Sequence, residues 1–108
     1  MSGWIGVDLD GTLAEYNGWK GPDNIGAPIK PMLTRVLHWL ESGREVRIFT
    51  ARACVPEQIG PVKDWCLRHI GVELPVTNEK DSGMIELWDD RCVQVVPNTG
   101  MRADGKAD

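Results

Sequence analysis

The chain opens on a continuous apolar run, Trp4-Ile5-Gly6-Val7, that stops at the acids of Asp8-Leu9-Asp10. A short run without a polar face fits a strand buried on both sides, so residues 4–8 are predicted as a first strand. From 14 to 31 the chain is rich in Gly and Pro and has no period. A loop of that length in a small domain is usually functional or mobile. The pattern then turns helical: Met32, Leu33, Val36, Leu37 and Leu40 recur at spacings of three and four. Pro31 stands near the start of that helix and Gly43 just past its end, the usual punctuation. Val46, Ile48 and Phe49 mark a second strand over 44–50. Residues 51–56 are a connection, and 56–70 a second helix burying Ile59, Val62, Cys66 and Ile70. Gly71 stops it.

Three further strands are read, over 74–77, 84–88 and 92–96. Pro75 sits badly inside the first of these, because proline has no N–H for a ladder. The tail from Asn98 is small and polar and is expected to fray. The reading is therefore one domain over 1–97 and a polar tail over 98–108. Strands alternating with helices predict an α/β fold, with a mainly parallel five-stranded sheet. In such sheets ligands bind beyond the carboxyl ends of the strands.

Composition changes this picture little. With 108 residues, one domain is expected, and 42% hydrophobic with 26% charged residues is ordinary for a soluble globular chain. The net charge of −4 leaves no basic field to hold extended nucleic acid by phosphate neutralisation. Cys54, Cys66 and Cys92 are odd in number and widely spaced, which argues against a disulfide framework and a zinc site. Reduced thiols, no signal peptide and no membrane-length apolar run place the expected protein in the cytoplasm.

The chemistry sits at strand ends. Asp8 and Asp10 follow the first strand, Thr50 and Arg52 the second, and Asp89 and Asp90 the fourth, while Lys80 lies between the third and fourth. Parallel strands would gather the acids and Thr50 on one rim. Acids at i and i+2 of an extended segment project to the same side and repel unless a cation, a proton or a ligand lies between them. A nucleophile, a proton donor, a metal site and donors for phosphate oxygens are what phosphoryl transfer needs.

With Asp8-Leu9-Asp10-Gly11-Thr12, Phe49-Thr50-Ala51-Arg52, Lys80 and Asp89-Asp90 in this order, the chain resembles the haloacid dehalogenase superfamily of phosphotransferases. The likeness runs from Ile5 to about Val96. It implies a Rossmann-like three-layer sandwich and a phosphatase acting through an aspartyl-phosphate. On that resemblance Asp8 is the nucleophile and Asp10 the general acid and base. Gly11 and Ala51 would lie against the phosphate, Thr50 would donate to it, and Lys80 would neutralise it and hold Asp8. Arg52, which follows a polar strand end, either binds substrate or pairs with a carboxylate, and substrate is the expected role. Mg²⁺ would take oxygens from Asp8, the Asp10 carbonyl and Asp89, with Asp90 holding a metal-bound water. Arg91 is expected to pair with a carboxylate.

The family often carries a cap domain, and no segment here is long enough to form one, so a second subunit is the remaining source of a lid. Residues 8–52, with the insert Asn17-Gly18-Trp19-Lys20-Gly21-Pro22, and Asp89-Asp90-Arg91 also resemble the phosphatase half of polynucleotide kinase-phosphatases. The expected substrate is a small phosphorylated molecule or a nucleic-acid phosphate end. Two alternatives stay open: a weakly catalytic Mg²⁺- or phosphate-binding module, and a phosphotransferase or phosphomutase of the same superfamily.

Overall fold

The computed structural model describes residues 3–107. Its sheet has four parallel strands: β1 (Trp4–Val7), β2 (Glu45–Phe49), β3 (Val76–Thr77) and β4 (Met84–Trp88), in the order β3-β2-β1-β4. Helix α1 (Lys30–Glu41) joins β1 to β2, and α2 (Ile59–His69) joins β2 to β3. Pro31 lies in the first turn of α1, where its missing N–H leaves no bond unmade. Gly43, at φ +82°, takes the left-handed conformation that ends it. Two 3-10 turns precede α2: Ala51–Cys54 lies in the expected connection, and Pro56–Gln58 takes the first turn of the helix expected from residue 56. The strand expected over 74–77 begins after Pro75, whose carbonyl still accepts a bond from the Ile48 N–H at 2.8 Å.

Both crossovers step in the same direction along the sheet, and crossovers of the usual hand then put both helices on one face. The apolar cluster agrees. Ile5, Val7, Val46 and Ile48 from the strands meet Met32 and Val36 of α1 and Val62, Trp65 and Cys66 of α2 in a single core. Leu37, predicted as core, is 40% exposed. Trp65 is fully buried and donates its indole N–H to the Gly26 carbonyl at 2.9 Å.

The other face carries no helix among the described residues, so the expected third layer is not formed. Strands β3 and β4 lie at opposite edges, and residues 78–83 between them are too few for a helical crossover. They instead run down that face as an extended strap. Asp81 accepts from the Trp4 indole at 2.8 Å, and the Gly83 carbonyl from the Trp4 backbone N–H at 2.8 Å. Arg47 lies over the Trp4 ring at 4.5 Å. Trp4 is buried by these contacts although it stands outside the main core.

The predicted fifth strand over 92–96 does not join the sheet. Asn98 (φ +65°) and Gly100 (φ +73°) turn the chain back, and Val95 bridges Arg102 in an isolated antiparallel contact. The segment instead pairs locally through that turn, with the Val96 N–H donating to the Met101 carbonyl at 2.8 Å and the Ala103 N–H to the Gln94 carbonyl at 2.8 Å. No described helix is long and apolar enough to cross a membrane.

Candidate active site

Register places the acids. Strands β1 and β4 are parallel neighbours with Val7 opposite Trp88, and the Asp8 N–H continues the ladder to the Trp88 carbonyl at 2.9 Å. The residues just beyond each strand, Asp8 and Asp89-Asp90, therefore meet at the same point of the rim. Carboxylate oxygens of Asp8, Asp89 and Asp90 all lie within 4.8 Å of one another. The Thr12 hydroxyl joins Asp8 Oδ2 at 3.2 Å to Asp90 Oδ1 at 3.3 Å, and accepts from the Asp90 backbone N–H at 3.0 Å. Gly11 adopts φ +92°, and a Cβ built there would stand 2.5 Å from Asp90 Oδ2. Glycine at this position thus makes room for Asp90, in addition to any approach by a ligand.

This crowding shows in the protonation of Asp8. Burial pushes its pKa from 3.8 up to about 7, helped by the hydrogen bond with Asp90 and the charge of Asp89. Three acids gathered without a cation would rather keep a proton. A divalent ion removes that penalty, and three hard oxygen donors suit Mg²⁺. The carboxylate of Asp10 stands outside this cluster. Asp90 shares this cluster with Asp8 and Asp89, which makes it a direct ligand candidate and not only an outer one.

Asp10 is engaged elsewhere. Arg52 grips it with both arms of its guanidinium, Nε to Oδ2 at 2.7 Å and Nη2 to Oδ1 at 3.0 Å. The same guanidinium donates to the carbonyls of Pro22 and Asn24, each at 3.2 Å, and lies over the Trp19 ring at 4.7 Å. Arg52 is buried and lines the cleft; of the two roles the sequence offers it, the structure shows the pairing with a carboxylate. A fork-shaped, permanently charged group can close a carboxylate and two carbonyls at once, which explains why an Arg sits here. The excursion over 14–29 is consequently fastened at two places, by Arg52 and by Trp65.

Thr50 is buried at the end of β2, where its Oγ1 accepts from the Arg52 N–H at 3.2 Å and starts the first 3-10 turn. Its own hydroxyl proton is not committed to a described residue. Thr50, Ala51, Asp8, Asp10 and Asp89 line an open cleft of about 730 Å³, whose wall also includes Tyr16, Trp19 and Arg91. Lys80 is exposed on the strap and forms no ion pair with any described residue. It stands near Cys92, whose pKa is raised by burial and the three acids and lowered by Lys80. Arg91 is exposed, lines the cleft and makes no ion pair, in contrast to the pairing predicted for it. Its exposure beside the cleft is a signal the sequence does not carry.

No family model matches the chain, and no curated protein matches it. A solved structure of a conserved protein from Bacteroides thetaiotaomicron is similar to it, with 22% identity and a TM-score of 0.64. The match covers 91% of this chain and 84% of that one. At this identity the likeness shows a shared α/β fold.

Proposed function

We propose that this chain is a Mg²⁺-dependent phosphomonoester hydrolase in which Asp8 attacks phosphorus. The observation that carries the reading is the meeting of Asp8, Asp89 and Asp90 within 4.8 Å at the mouth of a cleft that also holds Thr50 and Asp10. The ordered likeness of these residues to the haloacid dehalogenase superfamily supports it. Asp8, Asp89 and Asp90 would hold the metal, with the Asp10 carbonyl. When bound, the metal supplies positive charge that keeps Asp8 ionised and screens the phosphoryl group.

Asp8 Oδ forms a bond to phosphorus as the bond from phosphorus to the ester oxygen breaks, giving an aspartyl-phosphate. A carboxylate suits this step because, once ionised, it needs no base. Asp10 gives a proton to the departing oxygen and later takes one from the water that releases phosphate. To do so it must free at least one oxygen from Arg52. The Thr50 hydroxyl donates to a phosphoryl oxygen. The open cleft admits small phosphomonoesters or a phosphorylated nucleic-acid end, the class to which the insert over 17–22 points.

The test is phosphate release from an aryl phosphate with and without Mg²⁺. Release that needs Mg²⁺ and disappears in Asp8→Asn is expected. Release that survives Asp8→Asn contradicts the assignment. The hold of Arg52 on both Asp10 oxygens favours a second reading, a module that binds metal and phosphate without turnover. Binding of inorganic phosphate with Mg²⁺ and no release from any ester would select it.

A further inference from the structure

We propose that Arg91 is the cation that receives the substrate phosphate in this cleft, an assignment that rests on the hydrolase reading above. A phosphomonoester carries close to two negative charges near neutral pH. It must enter a cleft whose wall includes Asp8, Asp10 and Asp89. Two cationic side chains share that wall, Arg52 and Arg91. Arg52 is buried, and four of its five N–H donors are engaged by Asp10, Pro22 and Asn24. Gripping phosphate with two of its N–H groups would take at least one of them from Asp10, Pro22 or Asn24.

Arg91 has no such commitment. Its guanidinium makes no ion pair or hydrogen bond with any described residue. Its place is nevertheless fixed, because its backbone N–H donates to Asp89 Oδ1 at 2.7 Å. That bond turns the chain directly after the acids and sets Arg91 beside them at the cleft. A free guanidinium on the wall that Asp8 also lines can meet phosphate with two parallel hydrogen bonds. Lys80, the other cation near the rim, lies on the strap and is not part of the cleft wall.

The experiment compares wild type, Arg91→Gln, Arg91→Lys and Lys80→Gln with Mg²⁺ present. It reads KM and kcat for an aryl phosphate and the inhibition constant of inorganic phosphate. Loss of one charge-assisted hydrogen-bonded contact weakens binding by about tenfold to a hundredfold. Arg91→Gln should raise both KM and the inhibition constant by that factor, and Arg91→Lys should recover part of the loss. The thermal midpoint of Arg91→Gln should stay near that of wild type, since the exposed side chain makes no hydrogen bond or ion pair with a described residue. The proposal is overturned if Arg91→Gln leaves both constants within about twofold while Lys80→Gln raises them. A wild-type chain that neither releases nor binds phosphate overturns the hydrolase reading itself, a result separable from any Arg91 effect.

Discussion

Replacing Arg52 with Met should be the most damaging single change to the fold at the cleft. The substitution keeps the apolar stem and removes a guanidinium whose side chain is 3% exposed, beside an Asp10 side chain that is 20% exposed. It leaves Asp10 charged without its partner and deprives the carbonyls of Pro22 and Asn24 of a donor. Breaking a buried pair by removing one side costs about 3–5 kcal/mol. Asp10 retains some access to water, so the lower end, about 3 kcal/mol, applies. With a urea slope of about 1.5 kcal/mol/M, the midpoint should fall by about 2 M. The loss should appear first as release of the 14–29 excursion, read as faster tryptic cleavage after the exposed Lys20. Arg52→Lys restores charge without the fork and should lie between. Adding Asp10→Asn to Arg52→Met should cost little more, because the pair acts as a unit. A midpoint within about 0.5 M of wild type, with unchanged cleavage after Lys20, would refute this account of the cleft.

Three other outcomes are expected. Gly11→Ala forces an L side chain into φ +92° and against Asp90; it should cost about 1–3 kcal/mol in chemical denaturation and weaken Mg²⁺ binding by calorimetry. Asp8 holds its proton more tightly folded than unfolded, so without metal its contribution to stability is present below 3.8 and withdrawn as pH rises toward about 7. The rise in thermal midpoint on adding Mg²⁺ should therefore be larger at pH 8 than at pH 6; an equal rise at both would count against it. Asp10→Asn should lower kcat for an alkyl phosphate by about 10²–10⁴-fold, and by less for an aryl phosphate whose leaving oxygen needs no proton; equal losses on both esters would remove the acid role.

The parts of this molecule that were legible in its sequence are those governed by local pattern. The four strands that form, both helices and their glycine stops follow from periodicity and turn residues near in the chain. The meeting of Asp8 with Asp89 and Asp90 was legible too, because strand-end acids in a parallel sheet share a rim. What the sequence did not disclose depends on distant competition. Residues 92–96 have strand-like composition, but the turn at Asn98 and Gly100 pairs them with 101–103 in place of the sheet edge. Among the described residues the second helical layer is missing because residues 78–83 are too short to form one, and the Trp4 contacts with Asp81 and Arg47 replace it. Arg52 and Arg91 read alike as arginines following polar strand ends. Burial separates them: one faces Asp10 and the backbone of the 14–29 excursion, the other the open cleft.

Growing crystals with Mg²⁺ and beryllofluoride tests the central claim most directly, because beryllofluoride mimics a phosphoryl group on a carboxylate. The account predicts an adduct on an Asp8 oxygen, with a metal ion shared by Asp8, Asp89 and Asp90 and the Arg91 guanidinium on the fluorides. Bound Mg²⁺ with an unmodified Asp8, or no ion common to the three acids, would contradict it.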